Sequence, residues 1–248
     1  MSAQMTTSKP TEHFDEYADN YNEALGKALA ASGEGREYFA EGRVAWVARC
    51  LTDLGVPQPR VVLDFGCGDG FTAPMLRDAL KAPFIVGVDV SSKSIEVARE
   101  KYGTRASDSF IGRIITFERL GAFKPAAEMD VAYCNGVFHH IPPAERDKAV
   151  GIVRDALKPG GLFAFWENNP WNPATRFVMS RCEFDKDAQM LRPATARKLL
   201  KKNGFEIVRT DYRFIFPRSL RLFRRIEDFV FKTPLGTQYM VLARKLAP

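Results

Sequence analysis

The chain has 248 residues, 46% of them apolar and 27% charged, with a formal net charge of +6. That length and balance suit one large domain with an ordinary core and exclude a disordered acidic chain or a fibrous repeat. No window approaches the roughly 18 consecutive apolar residues of a membrane span. The N-terminus has no apolar leader-type run, and Cys50, Cys67, Cys134 and Cys182 lie far apart as reduced, buried thiols without metal-type spacing. The expected setting is cytoplasmic, with no metal.

After a short polar start, Thr11 caps a helix in which Phe14, Tyr17, Tyr21 and Leu25 recur at helical spacing. SGEG breaks it, and REYFAEGRVAWVARCLTDLG forms a second helix closed by Gly55 and Pro57. The pattern then changes. RVVLDFG reads as a buried strand, FTAPMLRDAL as a helix, PFIVGVDV as a strand, and SSKSIEVAREKYG as a helix capped by Ser91 or Ser92. RIITFERL fits an edge strand. MDVAYCNG is a strand, PAERDKAVGIVRDALKPGG a helix, LFAFWEN a strand and RPATARKLLKKNG a helix, and FEIVRTDYRFIF and TQYMVLARK close the chain as strands. Strands alternating with helices give an α/β fold: a doubly wound, mostly parallel seven-stranded sheet with helices on both faces and an antiparallel last strand. Residues 1–55 are expected to form an N-terminal helical lid of the same domain, and residues 56–248 the core, with a basic helical insertion at about 217–236.

VVLDFGCGDG marks the site. In an open α/β sheet, ligands sit beyond the carboxyl ends of the strands, and Asp64 to Gly70 is such an end. Glycine permits positive φ and close backbone approach to a ligand, although tight turns use it too. Asp89 ends the next strand, about 20 positions on, where an acidic residue can accept both ribose hydroxyls of a nucleoside; its other reading is a helix N-cap. Gly66, Gly68 and Gly70 alternate with other residues, unlike the G-x-G-x-x-G spacing of dinucleotide sites, which argues against a nicotinamide oxidoreductase.

The D-x-G-x-G-x-G run with Asp89 resembles motif I of the class I S-adenosylmethionine-dependent methyltransferases, and the similarity runs from Phe14 to Lys245, including the LKPGG turn at Leu157 to Gly161. The resemblance implies a Rossmann-like fold, methyl transfer and S-adenosylmethionine as cofactor. Gly66, Cys67, Gly68 and Gly70 would hold its amino acid part, Asp64 would approach the ammonium through water, and Asp89 and Val90 would face the ribose. Tyr21, with Tyr17 one turn earlier, would close over the cofactor from the lid helix or pack that helix on the core. Glu118 and Arg119 stand where relatives contact adenine, and Asn135 and Gly136 would line the cofactor from the fourth strand.

Methyl transfer from a sulfonium is an in-line displacement, so the protein chiefly aligns two partners and excludes water. A base helps when the nucleophile must lose a proton. His139 and His140 follow the fourth strand, and imidazole suits that task; a helix-start histidine bonded to backbone is the other reading. Glu167 is a further candidate base. The FWENNPWNPATR loop offers Asn168, Asn169, Trp171 and Arg176 to a polar substrate, or is rigid turn punctuation.

From Arg209 onward nine Lys and Arg face three Asp and Glu, the whole of the charge excess. Within this tail, Leu222, Phe223, Ile226, Phe229 and Val230 form an apolar helical stripe interleaved with Arg218, Arg221, Arg224 and Arg225. Three readings compete: a helix packed on the core, a membrane-surface helix, or an anion site in which Arg221 and Arg225 contact substrate. No nucleic-acid-binding module is visible. The expected function is methyl transfer to a small-molecule acceptor, such as a glycan, a lipid-linked sugar or another anionic metabolite. Its alternatives are a methyltransferase of quinone or secondary-metabolite biosynthesis and a non-catalytic cofactor-binding or partner-binding protein.

Overall fold

In a computed structural model of the chain, residues 32–104, 112–182 and 188–247 are described. The helix expected from Thr11, with Tyr17 and Tyr21, lies outside them. The elements run α1 (Arg36–Asp53), β1 (Val61–Phe65), α2 (Ala73–Leu80), β2 (Phe84–Asp89), α3 (Ser92–Tyr102), β3 (Ile114–Arg119), β4 (Met129–Asn135), α4 (Arg146–Ala156), β5 (Leu157–Asn168), α5 (Pro173–Ser180), α6 (Pro193–Lys202), β6 (Phe205–Arg213), α7 (Arg224–Val230) and β7 (Gln238–Lys245), with short 3-10 turns at Pro143–Glu145 and Arg218–Phe223.

The seven strands form one sheet in the order β3-β2-β1-β4-β5-β7-β6. β1 to β5 pair in parallel, and β7 runs antiparallel between β5 and β6. Successive side chains point to opposite faces of a strand, and two cores result. Leu162, Ala164 and Trp166 of β5 join α1, α2 and α3 on one face, while Phe163 and Phe165 join α4 and α6 on the other. β3 exposes Thr116 between buried Ile115 and Phe117, as an edge strand does. β5 starts before the LFAFWEN run because Leu157 already pairs with Met129, ahead of a register shift. The strand order reverses between β1 and β4, which opens a crevice at their carboxyl ends.

α1 is integral to the core. Its buried face includes Ala40, Val44, Val47 and Leu51, and Trp46 Nε1 donates to the buried Asp211 at 2.9 Å. α3 is capped by Ser91, whose side chain accepts from Ser94 N at 3.1 Å.

Of the three readings of the basic insertion, the core-packed helix does not fit. A helix packed on the core would bury its apolar stripe; instead Leu222, Phe223, Ile226 and Phe229 are exposed, and Glu227, in the middle of the stripe, is buried. The cause is local. Phe214 sits at φ 64°, and the Glu227 carboxylate accepts from the backbone N–H of Phe214, Ile215 and Phe216 at 3.2, 3.0 and 2.9 Å. A buried carboxylate holding three amides fixes which side of the segment faces inward. Glu227→Ala should therefore cost about 2–3 kcal/mol, lowering the melting temperature by roughly 4–12 °C; calorimetry checks this, with Asp228→Ala, at a half-buried site, expected to cost less.

Candidate functional site

The crevice holds a cavity of about 600 Å³ lined by the loop after β1, the ends of β2 and β3, the loop after β4 and the inner face of α1. The glycines divide the work within the β1 loop. Gly66, at φ +75°, lies so close to Val137 that no side chain fits, and a Cβ on Gly70 would come within 2.9 Å of Phe117 and Ala98. Gly70 is thus a packing residue and does not line the cavity. Gly68, at φ +53°, faces open space, with no atom within 4 Å of where a Cβ would stand. Cys67 packs beneath the loop, and burial pushes its thiol well up, so it is no thiolate.

Asp89 is not the cap of α3. Its Oδ2 accepts from Gly68 N and its Oδ1 from Ser91 N, both at 2.9 Å. The carboxylate thus ties the glycine loop to β2 and lines the cavity with Val90. Arg119 lines the cavity together with Leu120 and Gly121, whereas Glu118 does not, being paired with Val88 inside the sheet one residue short of the edge.

Two buried charges face this space. Asp64 is 2% exposed, and its Oδ2 has no hydrogen-bond partner among the described residues. Burial first and the neighbouring Asp89 second push its pKa up to about 7, while Arg43 opposes them. Arg43, 6% exposed, donates from Nε to Tyr133 Oη and from Nη1 to Gln238 Oε1, both at 3.0 Å. Its partners are neutral, so its charge is unmatched at hydrogen-bond range among the described residues. Sequence reasoning missed Arg43; the signal was an arginine on the helical stripe shared with Ala40 and Val47.

A second cavity, of about 340 Å³, adjoins the first, and Arg36, Arg43, Asn135, Gly136 and His140 line both. Its other walls are mainly aromatic or aliphatic: Tyr38, Phe39, Phe177, Met179, Phe214 and Phe216. His139 reaches it and His140 lies against His139, with ring centroids 4.1 Å apart. Glu167 is fully buried; its Oε2 is 2.6 Å from His139 Nδ1 and its Oε1 accepts from Phe138 N at 2.8 Å. Arg146 braces this loop from below, donating to the carbonyls of Phe138, Ile141 and Gln189.

The Asn-Pro loop divides between wall and scaffold. Asn168 lines the second cavity. Asn169 does not; its amide donates to Pro234 O and Gly236 O at 3.1 and 2.7 Å, and its carbonyl accepts from Trp171 N. Trp171 and Arg176 are exposed and line neither cavity. The same holds for Arg221 and Arg225, because the inward face of their segment is taken by Arg224 and Glu227. Among the described residues no cluster of His, Cys, Asp and Glu is placed to hold a metal ion.

Residues 63–163 match the profile of a methyltransferase-domain family. The chain is 25% identical over 168 residues to a trans-aconitate 2-methyltransferase of Rhodopseudomonas palustris, covering 67% of this chain and 62% of that one. It is 28% identical over 130 residues to a ubiquinone biosynthesis O-methyltransferase of Bordetella avium, covering 52% of this chain and 50% of that one. It thus spans between half and two thirds of the length of these relatives. Magnesium protoporphyrin IX methyltransferase from Synechocystis with bound SAM superposes with a TM-score of 0.60 at 19% identity, over 97% of this chain and 99% of that one, a likeness of fold.

Proposed function

We propose that this chain, a member of the class I S-adenosylmethionine-dependent methyltransferase family, binds S-adenosylmethionine in the larger cavity and methylates a hydroxyl of an apolar small molecule held in the smaller one. The observation that carries the reading is the pair of unmatched buried charges, Asp64 and Arg43, on the wall of the glycine-loop cavity. A buried charge without an ionic hydrogen-bond partner is costly even with an opposite charge nearby, and a zwitterionic amino acid group supplies one to each: its ammonium to Asp64, its carboxylate to Arg43. Gly68 leaves room for its backbone, and Asp89 accepts the ribose hydroxyls.

When bound, the cofactor's sulfonium supplies an electrophilic methyl group. Of the five residues shared by the two cavities, Asn135, Gly136 and His140 hold the junction where the partners meet. Glu167 accepts the Nδ1 proton of His139 and so leaves Nε2 as the proton-accepting nitrogen. That is the arrangement a hydroxyl nucleophile needs and a carboxylate nucleophile does not. The aromatic walls suit a ring or an aliphatic chain better than a bare sugar, and the dyad disfavours a purely binding role.

Calorimetric titration with S-adenosylhomocysteine tests the cofactor site, and NAD binding more tightly would sink the reading. The pH dependence is specific. The ligand's ammonium favours ionised Asp64, so below about pH 7 binding must expel a proton and affinity falls by up to about tenfold per pH unit. Above that it levels off until the ligand's own amine deprotonates. Stability of the free protein runs the other way: because the folded pKa of Asp64 is raised from 3.8 to about 7, its contribution is complete below the lower value and lost as pH rises through the upper. Asp64→Asn should flatten both dependences.

A further inference from the structure

The segment between β6 and β7 turns large apolar side chains to solvent. Leu222 and Phe229 are 85% exposed, and Leu220, Phe223 and Ile226 are each about half exposed. Single exposed leucines need no explanation, but a contiguous set on one short segment does. The segment is firmly held. Arg224 Nη2 donates to Glu34 at 2.8 Å, and its guanidinium lies 4.3 Å over the Tyr38 ring. Asp228 meets Arg213 at 2.9 Å and Arg49 at 3.2 Å, and Glu227 is spent on three backbone amides.

This anchoring sorts the charges. Both acidic residues of the segment are used inward, while Arg218, Arg221 and Arg225 stay exposed among the apolar side chains. The outward face therefore combines hydrocarbon with cations and carries no carboxylate of its own segment. A second copy of the chain seated on it would set arginine against arginine, since a two-fold interface brings a patch against itself. Apolar side chains that enter a headgroup boundary, flanked by guanidinium forks that fit phosphate, are the chemistry of a surface-lying membrane contact.

We propose that this face docks the protein on an anionic phospholipid bilayer, with Leu222 and Phe229 entering the headgroup boundary and Arg218, Arg221 and Arg225 meeting lipid phosphates. The face is continuous with the mouth of the second cavity. Ile215, Phe216 and Pro217 line that cavity, and the Phe216 ring is 5.8 Å from Phe223. An apolar acceptor dissolved in the bilayer would enter there, a corollary that rests on the methyl-transfer reading; the docking itself does not.

Co-sedimentation of the full chain with vesicles tests it. Vesicles of mixed phosphatidylglycerol and phosphatidylcholine should bind the protein, phosphatidylcholine alone should bind it less, and added salt should weaken binding. Leu222→Ser/Phe229→Ser should weaken binding at least about tenfold, and Arg221→Gln/Arg225→Gln several-fold. Because these side chains point to solvent, both variants should keep the wild-type melting temperature and S-adenosylhomocysteine affinity, which separates failure of docking from failure of the cofactor site. No binding to anionic vesicles, or equal binding by the apolar double variant, overturns the proposal. So does a concentration-dependent dimer abolished by Leu222→Ser/Phe229→Ser, which would assign the face to a second copy.

Discussion

Gly68→Val should abolish measurable cofactor binding in a protein that still folds. No atom lies within 4 Å of the position a Cβ would take, so the substitution meets ligand space and not protein. Its cost to the fold is the positive φ, about 1–2 kcal/mol for a residue with a Cβ. The branched side chain would stand in the cradle and displace the loop that Asp89 holds through Gly68 N. A loss of S-adenosylhomocysteine affinity of about a thousandfold, roughly 4 kcal/mol, is expected by calorimetry. Gly70→Val is the contrasting control. There a Cβ would collide with Phe117 and Ala98, so it should unfold the protein before any ligand is added. A folded Gly68→Val protein with intact affinity would show that the glycine loop is not the site.

His139→Ala should lower kcat by roughly 10²- to 10⁴-fold, about 3–5 kcal/mol, with little change in cofactor affinity. Glu167→Gln is the more searching variant. It keeps the shape and an acceptor for Phe138 N, but turns an amide N–H toward His139 Nδ1. The ring would then carry its proton on Nε2, the wrong nitrogen for a base. A kcat loss approaching that of His139→Ala, in a protein with an unchanged melting temperature, is expected from steady-state kinetics once an acceptor is in hand. Added imidazole should partly rescue His139→Ala and leave Glu167→Gln unrescued. If His139→Ala keeps wild-type turnover, the dyad only braces the loop.

The sheet was legible because its central strands are buried on both faces and so read as unbroken apolar runs; VVLDF and LFAFW admit few other interpretations. Asp64 and Asp89 were legible because each puts a carboxylate at the carboxyl end of a buried strand, beside the glycine loop, although Asp89 also serves the fold by holding Gly68 N and Ser91 N. Arg43 was not, since arginine on a helix normally marks the solvent side, and only the packing of α1 on the sheet reverses that. Which of the three readings of the basic insertion applies was illegible for a related reason. Periodicity reports that one face is apolar but not which face the rest of the chain will cover, and Glu227 decided that by binding amides ten or more positions earlier. Asn169 has the same amide chemistry as a sugar-binding residue, yet it clamps Pro234 and Gly236. Residue type alone does not separate a ligand contact from a loop clamp.

The place of β7 has a consequence for how the molecule is made. This strand is the last in the chain, yet it lies between β5 and β6 and gives β6 its partner in the sheet. It also brings Gln238 to Arg43 and Thr237 to the wall of the second cavity. During synthesis the first five strands can assemble in the order in which they leave the ribosome, whereas β6 must wait as an unpaired edge until its successor has emerged. Domains whose pairings span long sequence separations fold slowly and expose strand edges meanwhile. The part of the second core built by Phe205, Tyr212, Tyr239, Val241 and Ala243, and the wall of the second cavity at Thr237 and Gln238, therefore form in a single late step, once β7 can pair with both β5 and β6.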